Sequence, residues 1–398
     1  MVFVVAALRF VLLICSCWPI IVASASSSSP STTATLPPPP PPPSLVSPSA
    51  SSYELTREQI QTYHRDGVIV IRGLLQGEQL ENAIKAVHKL QRRKSLGQRL
   101  LYKLNPLYKT FEFQTWRKDP ALESIAFDSC APTICAQLMG LDKDVDRKDG
   151  CPKRPLRLLK DAVLGYSVGD KGCGWHVDDK MFWPCEDKNV GKRDAGINVW
   201  ITLSPISIEE GGGLAVAPTS HRRWFARKAR KLIASKGSQT TCALQTLAPD
   251  CHDKMEQLKM LYDLQPGDAI IHDRYIFHRA EPFVDHDDTT KAGSNTKQRI
   301  SLRYVPADAT YYGSEFSTDI VVEEKGLKTG DAISKGGEYF PQTWPTSLPE
   351  ERNLKVLEDR NPFTLMKIYK MIRMQQQMKK KKQKEGKGDA DNKTGGYV

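Results

Sequence analysis

Two histidines and one carboxylate in this chain have the types and the spacing of metal ligands. His176 and Asp178 are separated by a single residue, and His278 follows far downstream. Side chains at positions i and i+2 of a strand point the same way, so the first two can bind one ion together. Two imidazoles and one carboxylate form the facial triad of non-haem Fe(II) oxygenases. The set therefore predicts an Fe(II) site formed by these three residues.

The pattern His-x-Asp is weak by itself, because it occurs three times, at His64/Asp66, His176/Asp178 and His286/Asp288. His286 is the last of the eight histidines, so no later imidazole can complete a triad there. His64 lies in a predicted helix opened by a capping box of Thr56 and Gln59, and on a helix positions i and i+2 diverge. His176 follows a strand-like run, residues 162–168, and has both a histidine and an arginine far downstream.

An arginine-rich strand supplies candidates for binding an anion. In the run 299–303, strand alternation places Arg299, Ser301 and Arg303 on one face. If these side chains point inward they need an anion, and a carboxylate can place both oxygens on one guanidinium. The pattern predicts a carboxylate anchor at Arg299, with Arg303 as the alternative. Arginines that face outward and form surface ion pairs are the other interpretation.

A second strand indicates which side chains face the interior. Residues 197–203 alternate strictly, with isoleucine, valine or leucine at every odd position. If that apolar face packs on a second layer, Trp200 and Thr202 point into the lumen.

The second half of the chain has a sequence pattern that is typical of an all-β fold. Gly, Pro and Asp separate short strand-like segments at 162–168, 196–203, 213–217, 269–271 and 299–305. Such spacing is typical of a jelly-roll or cupin-like sandwich rather than of a βαβ fold. The predicted fold is mainly β with flanking helices around a double-stranded β-helix core.

Composition divides the 398 residues into four segments. A run of seven prolines, residues 37–43, lies in a segment that cannot bury enough apolar surface to order itself. The predicted segments are a signal peptide or anchor at 1–25, a Ser/Pro-rich disordered linker at 26–52, one oxygenase domain at 53–349, and a basic amphipathic helix with a Lys-rich disordered tail at 350–398.

The N-terminus resembles a targeting segment. Residues 10–22 are mostly apolar, Arg9 precedes them, and Ala23-Ser24-Ala25 suits a signal peptidase. The sequence predicts a cleaved secretory signal, and hence a protein of the endoplasmic reticulum lumen or a secreted one. An uncleaved membrane anchor is the second interpretation, and a bipartite plastid-targeting segment is the third.

The charge of +11 is concentrated towards the C-terminus. After Asn361-Pro362, apolar residues recur at helical spacing with lysine and arginine between them, which indicates a basic amphipathic helix. Residues 361–387 are therefore candidates for contact with an anionic membrane surface, although a solvated tail is the simpler interpretation. Nucleic-acid binding is not expected, because no recognition motif supports it.

The nine cysteines do not decide the compartment. Two lie in the N-terminal apolar run, and the remaining seven include no CxxC pair, which argues against a disulfide framework and against a structural zinc site. Some of them could pair in an oxidising lumen. Cys173, close to His176, is expected to be a small neutral loop residue rather than a metal ligand.

From Leu55 to Pro306 the chain resembles the phytanoyl-CoA dioxygenase family of Fe(II)- and 2-oxoglutarate-dependent oxygenases. The motifs that carry the resemblance include Asp66-Gly67, Gly174…His176-Val177-Asp178, Pro218-Thr219-Ser220-His221, Pro266-Gly267-Asp268…His278-Arg279 and Arg299-Ile300-Ser301-Leu302-Arg303-Tyr304. The resemblance implies that His176, Asp178 and His278 bind iron. It implies that Arg299, helped by Ser301, anchors 2-oxoglutarate, with Trp200 and Thr202 close to it.

Two departures from the family pattern leave alternatives open. The gap between His278 and Arg299 is longer than usual, which keeps Arg303 as an alternative anchor. His272 also precedes His278, but its place directly after residues 269–271 fits the body of a strand.

The resemblance implies a dioxygenase that uses Fe(II), 2-oxoglutarate and O2, with ascorbate as reductant. Related halogenases have a small residue in place of the carboxylate, so Asp178 favours hydroxylation. We expect hydroxylation of an unactivated C–H bond in a small-molecule or lipid-like substrate, with release of succinate and CO2 and with Phe182 and Trp183 as pocket walls. The alternatives are a non-catalytic cupin-like sensor that binds metal or 2-oxoglutarate, and a protein-modifying hydroxylase of the secretory pathway.

Overall fold

The computed structural model describes residues 53–92, 110–142, 154–170, 172–178, 182–185, 196–236, 244–284, 296–312 and 326–352. The predictions for the signal or anchor, for the Ser/Pro-rich linker and for the helix and tail beyond residue 352 lie outside these residues. In the part of the chain that is described, no helix combines the length and the apolar character needed to cross a membrane.

The α-helices of the described residues are α1 (Arg57–Asp66), α2 (Gly77–Arg92), α3 (Pro120–Phe127), α4 (Ala131–Met139), α5 (Trp224–Lys236), α6 (Leu244–Leu247) and α7 (Pro249–Leu258). Helix α1 begins with the predicted capping box. The Thr56 hydroxyl accepts a hydrogen bond from the Gln59 backbone N–H, and the Gln59 side chain accepts one from the Thr56 N–H. Gly67 ends the helix in the left-handed conformation, with φ of 76°.

The strands are β1 (Val68–Ile71), β2 (Thr110–Phe113), β3 (Leu156–Tyr166), β4 (Ile197–Thr202), β5 (Leu214–Ala217), β6 (Ala269–Asp273), β7 (Phe277–Ala280), β8 (Lys297–Pro306) and β9 (Gln342–Trp344). A seven-stranded antiparallel sheet has the order β1-β6-β4-β8-β3-β2, and β9 also pairs with β3. A second sheet is formed by β5 and β7. This architecture agrees with a mainly β core and flanking helices.

The large sheet has an apolar outer face that packs on helices. Odd residues of β4 join one buried cluster with side chains of α2, α3 and α4, among them Ile197, Val199, Ile201, Ala83, Ile125 and Ile134. The inner face carries Trp200, which packs with Ile270 of β6 and with Val216 of the small sheet. Trp200 therefore lies in the lumen between the two sheets, as the alternation of β4 predicts.

The glycine turn of the Pro266-Gly267-Asp268 motif connects two strands of the large sheet. Gly267 has φ of 91°, and a Cβ there would lie 2.1 Å from the carbonyl oxygen of Leu75. The next residue, Asp268, accepts hydrogen bonds from the Gly73 N–H at 2.7 Å and from Arg72 at 2.8 Å. This motif thus ties the start of β6 to the end of β1.

Candidate metal centre

The structure brings the predicted triad together at one end of the lumen. His176 and His278 exchange backbone hydrogen bonds of 3.0 and 2.9 Å, which joins the loop before Asp178 to β7. One ligand atom from each of His176, Asp178 and His278 lies within 4.8 Å of the others. Oδ1 of Asp178 is 3.8 Å from Nε2 of His176 and 3.6 Å from Nε2 of His278. Two imidazole nitrogens and one carboxylate oxygen therefore converge, and this donor set suits Fe(II).

Backbone carbonyls orient both imidazoles. Nδ1 of His176 is 2.6 Å from the Gly174 oxygen, and Nδ1 of His278 is 3.1 Å from the Ile276 oxygen. Because an N–H at Nδ1 donates to each carbonyl, Nε2 carries the free lone pair that a metal needs. Burial, reinforced by the neighbouring His278, lowers the pKa of His176 to about 4, so its ring is neutral near pH 7.

Asp178 is an ionised carboxylate in a buried position. Burial opposes its ionisation, but the Arg303 guanidinium and the two histidines hold the pKa of Asp178 well below its usual range. Oδ2 accepts hydrogen bonds from Nε of Arg303 at 2.9 Å and from the Trp183 indole N–H at 3.3 Å. Oδ1 is thus left facing the imidazoles.

His272, the alternative distal histidine, is engaged elsewhere. Its Nδ1 lies 2.9 Å from the Asp273 carbonyl oxygen, and its Nε2 lies 2.9 Å from Nδ2 of Asn198. The Asn198 side-chain oxygen accepts a hydrogen bond of 2.7 Å from the Ser301 hydroxyl. Both ring nitrogens of His272 therefore lie within a buried hydrogen-bond network beside the triad, whereas Nε2 of His278 faces Asp178.

Arg299 lies on β8 next to the rings of Tyr166 and Trp200. Its guanidinium is within 5.1 Å of the Tyr166 ring centroid and 5.4 Å of the Trp200 ring centroid, and it donates to the Gly212 carbonyl at 3.3 Å. The side chain is almost fully buried, with 2% of the residue exposed. Arg299 is therefore a fixed cation between two aromatic rings, at a position suited to an anionic ligand.

Two of the predicted cofactor residues have hydroxyls that make local hydrogen bonds. The Thr202 hydroxyl donates a hydrogen bond of 2.5 Å to the Ser204 carbonyl, and the Ser301 hydroxyl donates one of 2.7 Å to the side-chain oxygen of Asn198. Thr202 is the strand partner of Arg299, and Ser301 is the strand partner of Trp200. Both residues line the same face as Arg299, but the structure does not join their hydroxyls to its guanidinium, and their role in cofactor binding stays a prediction.

Phe182 and Trp183 lie beside Asp178, where pocket walls were predicted. The Arg303 guanidinium is 4.4 Å from the Phe182 ring centroid, and the Phe182 ring is 5.5 Å from that of Phe113. Trp183 is fully buried, and it contacts Asp178 through its N–H. Trp183 thus supports the carboxylate, while contact of either ring with a substrate stays a prediction.

Sequence reasoning did not find Asn198, Tyr166 or the contact of Arg303 with Asp178. Asn198 shares the lumenal face of β4 with Trp200, so its position was readable, but its partner depends on pairing with β6. Tyr166 is the last residue of β3, four residues beyond Ala162, which pairs with Ser301 of β8. Polarity at lumenal positions of the alternating strands was the signal available for both.

Cys173 is disulfide-bonded, whereas the described cysteines Cys130, Cys135, Cys185 and Cys251 are free thiols. Cys173 lies in a loop, as expected, and its sulfur is committed to a covalent crosslink, so the expectation that some cysteines pair applies to this residue. It is not a metal ligand. The crosslink lies three residues before His176, in the loop that carries His176 and Asp178.

The family model described as phytanoyl-CoA dioxygenase matches residues 63–284, which is more than half of the chain. The chain belongs to the phytanoyl-CoA dioxygenase family. Its predicted enzyme class, a 2-oxoglutarate-dependent dioxygenase, is confirmed by this membership. No curated protein shows significant similarity to the chain.

Solved oxygenase structures resemble this family member in fold. The non-heme alpha-ketoglutarate-dependent carbocyclase SnoK from nogalamycin biosynthesis is 20% identical, with 74% of this chain and 98% of SnoK covered and a TM-score of 0.52. The epimerase SnoN in complex with Fe3+, alpha-ketoglutarate and nogalamycin RO is 17% identical, with 72% and 97% covered and a TM-score of 0.47. EctD from S. alaskensis with 2-oxoglutarate and 5-hydroxyectoine is 14% identical, with 68% and 86% covered and a TM-score of 0.43. The likeness to SnoK confirms the predicted fold class, a mainly β core with flanking helices.

Proposed function

We propose that this family member hydroxylates an unactivated C–H bond of a small-molecule or lipid-like substrate and converts 2-oxoglutarate and O2 into succinate and CO2. The observation that carries the proposal is the convergence of Nε2 of His176, Nε2 of His278 and Oδ1 of Asp178 within 4.8 Å. Their donor types match the triad of non-haem Fe(II) oxygenases. Ascorbate is the expected reductant.

In this proposal, His176, Asp178 and His278 hold Fe(II). When bound there, the metal supplies the activation of O2 that no side chain can supply. Two of these residues are already in the state that binds a metal, because burial lowers the pKa of His176 to about 4 and Arg303 holds the pKa of Asp178 well below its usual range. The site therefore needs no proton release from these two residues before it binds a metal near pH 7.

Arg299 is the proposed anchor for the distal carboxylate of 2-oxoglutarate. Its guanidinium is buried between Tyr166 and Trp200, where water is scarce and a carboxylate binds more strongly than at a surface. Arg303 is the weaker candidate, because two of its nitrogens already bind the carboxylate of Asp178. One arginine of β8 thus serves the co-substrate, and the other serves the metal ligand.

Hydroxylation rather than halogenation is proposed because the third ligand position holds a carboxylate. Asp178 lies with Oδ1 directed at the two imidazoles, so the place that a halide would need is filled by this chain's own side chain. Substrate selection is assigned to the loops around the lumen mouth, with Phe182 and Trp183 as the nearest described residues.

We also propose that the protein works in the secretory pathway. The N-terminal apolar segment followed by Ala23-Ser24-Ala25 motivates this location, and the disulfide at Cys173 supports it, because disulfides persist in oxidising compartments. Contact of residues 361–387 with an anionic membrane surface remains a proposal that rests on sequence alone.

The test is turnover of candidate metabolites by purified protein with Fe(II), ascorbate and 2-oxoglutarate. Mass spectrometry should find one product that is heavier by one oxygen atom, formed together with one succinate. The matched control is Asp178→Ala, which keeps Arg299 and should form neither product. A wild-type protein that binds Fe(II) and 2-oxoglutarate but releases no succinate with any substrate pool would favour the sensor interpretation.

A further inference from the structure

The two oxygens of Asp178 have different surroundings. Oδ1 faces the imidazoles of His176 and His278, at 3.8 and 3.6 Å from their Nε2 atoms. Oδ2 is the acceptor for three donors, which are Nε of Arg303 at 2.9 Å, Nη2 of Arg303 at 2.8 Å and the indole N–H of Trp183 at 3.3 Å. The carboxylate is therefore turned so that one oxygen serves the metal position and the other serves the protein.

Neighbouring side chains fix both donor residues. The Phe182 ring lies 4.4 Å from the guanidinium carbon of Arg303, and the Arg274 guanidinium lies 5.3 Å from the Trp183 ring centroid. Gly196 lets the Trp183 ring pack against the backbone, since a Cβ at that glycine would be 2.6 Å from a ring carbon. Arg303 and Trp183 are each at most 4% exposed, so water does not compete for their donors.

We propose that Arg303 is a positioning residue for the metal ligand Asp178, assisted by Trp183. By holding Oδ2, they restrict Asp178 to binding the metal through Oδ1 alone. An ion held by one oxygen of Asp178 and by the two imidazoles would have room for a co-substrate such as 2-oxoglutarate. This inference rests on the proposed function, because it assigns a role to residues that surround the proposed metal site.

A buried carboxylate oxygen that loses hydrogen-bond donors is stabilised by the nearest cation. Charge-assisted hydrogen bonds from a guanidinium are among the stronger ones, at roughly twice the strength of neutral ones. If they are removed, Oδ2 is a buried anionic oxygen that keeps only the Trp183 N–H as a donor, and a bound divalent metal would be the closest positive charge. The carboxylate should then bind the metal through both oxygens and occupy a position that 2-oxoglutarate needs.

The test uses Co(II) as a spectroscopic probe in the full-length protein under anaerobic conditions. Its visible absorption reports the coordination number, and 2-oxoglutarate affinity is measured on the same Co(II)-loaded samples by calorimetry. The variants are Arg303→Leu, which removes charge and donors, Arg303→Lys, which keeps the charge, and Trp183→Phe, which removes one donor and keeps the ring. Arg352→Ala is the matched control, because Arg352 makes a two-point contact with Asp128 away from the lumen, at 3.0 Å for both hydrogen bonds.

We expect Arg303→Leu to change the Co(II) spectrum before 2-oxoglutarate is added. It should also weaken 2-oxoglutarate binding by about tenfold or more, equivalent to roughly 1.4 kcal/mol, because the second oxygen of Asp178 would compete for the same position. Co(II) affinity should not fall, since the variant loses a positive charge near the metal. Trp183→Phe should change the spectrum in the same direction by a smaller amount, and it remains informative if Arg303→Leu does not fold.

Wild-type spectra and wild-type 2-oxoglutarate affinity in Arg303→Lys, Arg303→Leu and Trp183→Phe would overturn the inference and leave the proposed function standing. A wild-type protein that binds no Co(II) would overturn the proposed function, and the inference with it. An equal spectral change in Arg352→Ala would also count against the inference, because it would show a general loss of structure.

Discussion

Arg299 and Arg303 project from the same face of β8 and have different neighbours. Arg303 is paired with Asp178 at 2.8 Å, whereas Arg299 lies between the rings of Tyr166 and Trp200. Their Cα atoms are about 13 Å apart at a strand rise of roughly 3.3 Å per residue. This separation lets one arginine hold a metal ligand while the other is the proposed anchor for the far carboxylate of a co-substrate.

Arg299→Ala should raise the apparent Michaelis constant for 2-oxoglutarate by about two orders of magnitude. That factor corresponds to roughly 2.8 kcal/mol, at 1.4 kcal/mol per factor of ten. The reason is that the distal carboxylate would be desolvated without its cation. The measurement is a 2-oxoglutarate titration of succinate formation, together with a Co(II) titration that should be unchanged.

Arg303→Ala is the matched comparison for that prediction, because it removes the other arginine of the same face. Its effect on the 2-oxoglutarate constant should be the smaller of the two. A large increase for Arg303→Ala with no increase for Arg299→Ala would move the anchor to Arg303.

Gly67→Ala should destabilise the fold more than Gly77→Ala does. Both glycines have positive φ, 76° and 50°, so each alanine costs about 1–2 kcal/mol in backbone strain. At Gly67 the new Cβ would also lie 2.5 Å from Nδ1 of the buried His221, whereas at Gly77 it meets nothing within 4 Å. Chemical denaturation of both variants measures the difference, and equal losses would show that the contact with His221 relaxes without cost.

His221 should make the protein less stable as the pH falls. Burial, reinforced by Arg222 and Arg230, lowers the pKa of His221 to about 4, and among the described residues its Nδ1 has no hydrogen-bond partner. The unfolded chain, with a pKa near 6.5, binds the proton first, so this contribution is complete above about pH 6.5 and is lost as the pH falls towards 4. Between about pH 7 and pH 5 the loss is at most about 2 kcal/mol, at 1.36 kcal/mol per pH unit.

His221→Asn removes the contribution of His221 to the pH dependence of stability. The other buried histidines remain in the variant, so their contributions are unchanged. The free energy of unfolding, measured by denaturant titration at both pH values, should fall less on acidification for His221→Asn than for the wild-type chain. The same decrease in both proteins would mean that His221 titrates normally in the folded state.

Local patterns in the sequence predicted the elements that depend on local geometry. The capping box of Thr56 and Gln59 formed as predicted, because its partners are three residues apart. The alternation of β4 identified Trp200 as lumenal, because a strand has a period of two residues. The separation of His176 and Asp178 by one residue predicted that both could reach one ion, and the structure brings their side chains together with His278.

Contacts that depend on the pairing of distant strands could not be read from the sequence. Asn198 lies opposite His272 of β6 and opposite Arg303 of β8. Both pairings depend on the register in which β4 pairs with these two strands. The pair of Arg303 and Asp178 joins residues 125 positions apart and requires the triad loop to lie over β8. Each motif fixes its own backbone, but the register between motifs is decided by the packing of the whole sheet.

Residues 1–25 should be absent from the mature protein. The apolar segment ends at Ala23-Ser24-Ala25, which has the small side chains that signal peptidase requires. N-terminal sequencing of protein isolated from its native source should therefore begin after this site. Met1 or Val2 at the N-terminus of a membrane-associated protein would support the uncleaved anchor instead.

Anaerobic calorimetric titration with Fe(II) tests most directly whether His176, Asp178 and His278 hold one divalent metal. The wild-type chain should bind one Fe(II). His278→Ala should lose more affinity than the roughly tenfold to hundredfold typical for an outer partner, and His176→Ala and Asp178→Ala should behave likewise. His272→Gln should keep affinity within about tenfold, since that residue lies beside the triad. Loss of Fe(II) binding in His272→Gln with retention in His278→Ala, or no binding by the wild-type chain, would contradict the account.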